Sequence, residues 1–79
     1  MPDENDLKRL LSIAAQHAGK SVTQQQLNEA VAELRSRKLF GMVKKADIEA
    51  VGQKVANDQQ IFATTDIDDV NTVLDTLGK

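Results

Sequence analysis

Four times along this chain, a residue suited to the start of a helix is followed by apolar side chains at three- and four-residue steps. On a 3.6-residue helix those steps fall on one stripe, so the chain is driven toward short amphipathic helices that bury their stripes against one another. The first stripe is Leu7, Leu10, Leu11, Ala14 and Ala18. Asp3 can cap it, Glu4 and Asp6 suit the positive end of the helix dipole, and Gly19 can close it in the left-handed conformation. This predicts a helix over about 4–18.

The stretch GKSVTQQQLNEAVAEL, residues 19 to 34, carries the fullest punctuation. Thr23 and Gln26 fit a capping box, Val22 and Leu27 are placed as a hydrophobic staple, and Leu27, Ala30, Val31 and Leu34 form the stripe. The stripe can continue to Lys38 through its aliphatic stem, and Gly41 ends a helix over 24–38. Leu39 and Phe40 are expected to pack beneath that end. A third helix, about 45–57, is capped at Asp47 or begins a turn earlier at Lys44; its stripe is Ile48, Val51, Gly52 and Val55. A glycine inside a helix costs about 1 kcal/mol against alanine, so Gly52 on the apolar stripe implies that another stretch of backbone passes close to it. The run IFATT is rich in aromatic and β-branched residues and predicts an extended piece. A fourth helix over 67–77 follows, with Asp66 as cap, Asp69 at the third helical position, Ile67, Val70, Val73, Leu74 and Leu77 as stripe, and Gly78 as stop.

The fold class is therefore all-α, with four short helices in two helix-loop-helix units. Setting Asp6 over Asp47 aligns Leu7/Ile48, Leu10/Val51, Leu11/Gly52 and Ala14/Val55, and the later helices align Thr23 with Asp66 and Leu27 with Val70. Two architectures fit. One is an EF-hand-like pair without calcium, its pieces KSV and IFA paired as a miniature sheet; the other is a small four-helix bundle. A calcium loop needs about six oxygens from acids at alternating positions, a central glycine and a terminal glutamate. GKSVTQQQL has no acid, and NDQQIFATTD carries acids only near its ends, so no metal is expected.

A chain of 79 residues holds one domain, 1–79, which buries about 60 percent of its unfolded surface. It has no cysteine, so disulfides and thiolate metal sites are excluded and a reducing cytoplasm is the plainest compartment. The start, MPDENDLKRLL, is acidic where a signal peptide would be basic, and no apolar run is long enough for a membrane span, so no membrane association is expected. The net charge of -2 opposes non-specific binding of nucleic acid by the whole surface.

Catalytic chemistry has no foothold in these residues. His17 is the only histidine and has no partner at ligand spacing, which makes it a surface or helix-end residue. Ser12, Ser21 and Ser36 have no evident base, no glycine-rich phosphate loop is present, and Asp66, Asp68 and Asp69 crowd the start of a helix, where the dipole favours negative charge. The sequence is read as non-enzymatic, with no catalytic, cofactor-binding or metal-binding residues.

The most distinctive local feature is RSRKLFGMVKK, residues 35 to 45. Arg35, Arg37, Lys38, Lys44 and Lys45 surround an apolar centre of Leu39, Phe40, Met42 and Val43, with no acid among them. Two readings apply: a contact surface for an acidic protein partner or phosphates, or cations that complement the end of a helix while Phe40 and Met42 complete the core. The functional expectation is a protein-protein interaction module, an adaptor, inhibitor or assembly subunit, that binds through a helical groove or through 35–45. The alternative is a helix-turn-helix DNA-binding regulator with Lys44, Lys45 and Lys54 near phosphates and Gln53 as a base reader; Asp47 and Glu49 on the same helix oppose it. A homodimer is a further expectation, because the alanine-rich first helix can leave an apolar face uncovered.

Overall fold

Capping chemistry sets the helix boundaries. The computed structural model describes residues 3 to 78, so residues 1, 2 and 79 of the expected domain lie outside the described residues. It contains α1 (Glu4–His17), α2 (Gln24–Lys38), α3 (Lys45–Ala56) and α4 (Ile67–Leu77). Asp3 accepts the amides of Asn5 and Asp6, while the Asp6 carboxylate takes the Asp3 amide at 2.7 Å. The Thr23 hydroxyl accepts the Gln26 amide at 3.1 Å and the Gln26 side chain reaches back to the Thr23 amide at 2.8 Å, as the capping box requires. Asp66 Oδ1 accepts the amides of Asp68 and Asp69, so the acidic start of α4 is a helix cap.

Gly19 closes α1 with φ of 74°; its amide donates to Gln16 and the Lys20 amide to Ala15, a Schellman ending. Lys44, not Asp47, is the N-cap of α3, so the helix starts a turn earlier than a cap at Asp47 would place it. Asp47 serves it from within the first turn, its carboxylate accepting the Lys44 amide at 2.8 Å.

The helices form a small four-helix bundle organised around α2, which packs against α1, α3 and α4, while α1 also packs against α4. Leu7, Leu11 and Ala15 of α1 meet Leu27, Ala30, Val31 and Leu34 of α2, Ile48 and Val51 of α3, and Val70, Val73 and Leu74 of α4. α1 therefore buries its apolar face inside the chain, and Ile13 is its one large apolar residue left exposed. α3 and α4 make no contact comparable with that between α1 and α2. Two equivalent helix-loop-helix units would require one, so the alignment of caps and stripes is not matched by equivalent packing.

The stretch after α3 departs from the sequence reading. Instead of an extended piece, residues 58 to 65 form successive turns in which Ile61, Ala63 and Thr65 donate to Asp58, Gln60 and Phe62. The reason is burial: Ile61 and Phe62 are both inside, whereas neighbouring residues of a strand point to opposite faces. Among the described residues there is no strand, so the miniature sheet of the EF-hand-like alternative does not form. Gly52 behaves as its position implies. A Cβ there would lie 2.5 Å from the Asp58 carbonyl oxygen, so the turn seats directly on the helix.

Candidate functional site: the tip between α2 and α3

α2 ends in Arg35, Arg37 and Lys38, three cations at the negative end of its dipole. The chain then tightens: the Phe40 amide donates to Arg37 and the Gly41 amide to Lys38, both at 3.1 Å. Gly41, with φ of 135°, makes a turn that a side chain would oppose, and the direction reverses toward α3.

Leu39, Phe40 and Met42 are 83%, 89% and 62% exposed. This corrects the expectation that Leu39 and Phe40 pack beneath α2 and that Phe40 and Met42 complete the core. The core aromatic is Phe62, fully buried, and the residue of the turn that goes inside is Val43. Leu34 is buried before the turn and Val43 after it, and the turn between them carries its apolar side chains outward. Three large apolar side chains therefore stand in solvent on one short turn.

The base of the turn is held from two sides. Asn71, on the inward face of α4, accepts the Val43 amide at 3.0 Å and donates to the Val43 carbonyl at 2.9 Å, and both residues are buried. Across the turn, Arg37 Nη1 donates to Asp47 Oδ1 at 2.9 Å, tying the end of α2 to the start of α3. The Lys44 amide and then the Arg37 guanidinium hold the Asp47 carboxyl below its ordinary value, against the opposing effect of burial.

The predicted cations divide by their partners. Arg37 is half-buried and committed to Asp47, with Glu33 at 4.0 Å. Lys38 reaches Asp75 of α4 at 2.8 Å, and Arg35 only approaches Glu4, at 3.7 Å. Lys44 and Lys45 are exposed and have no ion pair among the described residues. Beside the tip, a shallow cleft of about 250 Å³ lies between the ends of α2 and α4, lined by Arg35, Ser36, Lys38, Leu39, Leu74 and Gly78. Sequence reasoning missed the role of Asn71 and the place of the stripe residue Leu74 in the cleft. A polar Asn71 beside the stripe residues Val70 and Leu74 was the available signal for a buried hydrogen-bonding role.

Of the residues of the DNA-binding alternative, Lys44 and Lys45 stand at the tip where α3 starts, and Gln53 and Lys54 lie farther along α3. Gln53 and Lys54 line a groove with Ala46, Glu49, Ala50 and Gln59. Lys54 is paired with Glu33 at 2.6 Å, and Gln53 donates to Asn57 at 2.7 Å. His17 is exposed, and among the described residues no three acidic, histidine or cysteine side chains come together in a metal-holding group. No helix among them is long and apolar enough to cross a membrane. No protein-family model, curated protein or solved structure matches the chain.

Proposed function

We propose that this chain is a non-enzymatic protein-interaction module that inserts the tip formed by Leu39, Phe40 and Met42 into an apolar recess of a partner, with Arg35, Lys38, Lys44 and Lys45 meeting acids around it. The observation that carries this reading is the exposure of three adjacent large apolar side chains on a turn anchored at both ends. Burying one such side chain is worth about 1.5–3 kcal/mol, and a turn already held by Asn71 and by the Arg37 to Asp47 pair loses little freedom on binding. An exposed patch of this kind on a small domain is best accounted for by a partner. Its cation rim favours an acidic protein over a second copy of the same surface. A chain without cysteine suits a reducing cytoplasm, where we place its action.

The test is affinity capture of the tagged protein and of a Phe40→Ser, Met42→Ser variant from the native lysate, each with and without nuclease. A protein held by the parent chain, retained after nuclease and lost with the variant supports the module. Capture unchanged by the variant removes the tip from the interface. Recovery of nucleic acid, with binding that falls steeply as salt rises, favours the helix-turn-helix reading instead.

A further inference from the structure

We propose that the cleft between the ends of α2 and α4 receives one apolar side chain of an acidic polypeptide segment, and that Asp75 holds the place of the segment's carboxylate on Lys38 until the segment arrives. This rests on the reading above that the chain acts by binding a protein, and it names what the partner must present.

The cleft has an apolar floor and a basic rim. Leu74 supplies the first, with the exposed Leu39 as an apolar wall, and Arg35 and Lys38 the second, with Ser36 between them. Leu39 belongs to both the cleft and the tip, so a partner seated on the exposed turn also covers the cleft. The acids nearest the rim are loosely engaged. Glu4 stands 3.7 Å from Arg35 with both side chains about half exposed, and Asp75 is 60% exposed while its partner Lys38 is only 24% exposed. Lys38 is thus fixed against the protein by its stem, whereas Asp75 can swing into water when another carboxylate takes its place. The exchange keeps one ion pair on Lys38 throughout and adds the burial of an apolar side chain.

Charge selects the occupant. Lys44 and Lys45, where the turn enters α3, are exposed and form no ion pair among the described residues, and Arg35 is only partly neutralised. A second copy would bring the same cations to the contact and be repelled. An anionic lipid surface would answer the cations but has no discrete side chain for a cleft walled by two helix ends. A peptide segment with carboxylates flanking a leucine or an aromatic residue satisfies both features.

The experiment uses the isotopically labelled full chain with three probes: a short synthetic peptide with a central leucine flanked by Asp and Glu, a matched peptide flanked by Lys, and vesicles of mixed neutral and anionic phospholipid. The acidic peptide is expected to shift the methyl resonances of Leu39 and Leu74 and the amide of Ser36, leaving Gln53 on α3 unmoved, while the lysine peptide gives no shift. Asp75→Asn should tighten the acidic peptide about two- to fivefold, the range set by one exposed ion pair, and Lys38→Gln should weaken it. Absence of shifts at Leu39 and Leu74, equal binding of the lysine peptide, or sedimentation with vesicles in place of peptide binding overturns the cleft assignment. Unchanged or weaker binding by Asp75→Asn overturns the exchange. If the peptides fail while Phe40→Ser, Met42→Ser still abolishes capture of a protein, the cleft proposal alone falls and the interaction reading stands.

Discussion

The side-chain amide of Asn71 pairs with the main chain of Val43 as one peptide group pairs with another, accepting from its N–H at 3.0 Å and donating to its C=O at 2.9 Å. A third contact, to the Ile67 carbonyl at 3.2 Å, fixes the amide on its own helix. A buried main-chain donor and acceptor outside any helix need such a partner, since leaving either unmet costs more than the bond returns when made. Asn71 thus holds Val43 inside, while Leu39, Phe40 and Met42 on the same turn stay outside.

Replacing Asn71 with leucine keeps the branched shape, adds bulk and strands both groups of Val43. We expect a loss of about 2–4 kcal/mol, read as a lower urea midpoint with an unchanged slope. An unchanged midpoint would mean that water or a shifted turn satisfies Val43.

Removing the tip should have the opposite profile. Phe40→Ser with Met42→Ser takes away side chains that touch mainly solvent, so stability should move by no more than about 0.5 kcal/mol. The control is Phe62→Ala, which empties a fully buried site and should cost about 3–5 kcal/mol. Thermal melts of the two variants side by side distinguish a surface aromatic from a core one.

Gly52→Ala inverts the usual helix rule. Alanine ordinarily gains about 1 kcal/mol over glycine within a helix, but here its methyl group would meet the Asp58 carbonyl oxygen at 2.5 Å, main chain that cannot swing aside. We expect a net destabilisation of about 1–3 kcal/mol in chemical denaturation. A stabilised variant would show that the turn after α3 lifts off without cost.

Acid should act through Asp47 and Asp58. Asp47 is held below its ordinary value by the Lys44 amide and then by Arg37, Asp58 by the Lys20 ammonium and then by the Gln60 amide. A carboxyl lowered in the folded state stabilises fully above its unfolded value, about 3.9, and loses that contribution as pH falls through the lower folded value. The melting temperatures of the parent chain and of Asp47→Asn should therefore differ at pH 7 and converge below about pH 4. A gap that persists to pH 2.5 would assign the effect to packing, not charge.

The helices are legible in the amino-acid order, because their signals are local. A cap such as Thr23 bonds to an amide three residues away, Gly19 closes a helix through its own backbone freedom, and a stripe such as Leu27, Ala30, Val31 and Leu34 requires only the 3.6-residue period. Even the close approach at Gly52 was legible, since a glycine on a buried stripe has a cost that packing must explain. Composition also marked 35–45 as a distinct segment. Which of its side chains face water was settled only in three dimensions. Leu39, Phe40, Met42 and Val43 are adjacent and all apolar, and no local rule separates Val43 from the rest. Val43 is held by Asn71, 28 positions along the chain, and the buried aromatic of the core is Phe62. Propensity likewise read IFATT as extended, whereas the need to bury two neighbouring residues at once folded it into turns. Local hydrogen bonding writes a helix into its own residues; competition for a finite core is decided among residues far apart in sequence, and that competition exposed the tip.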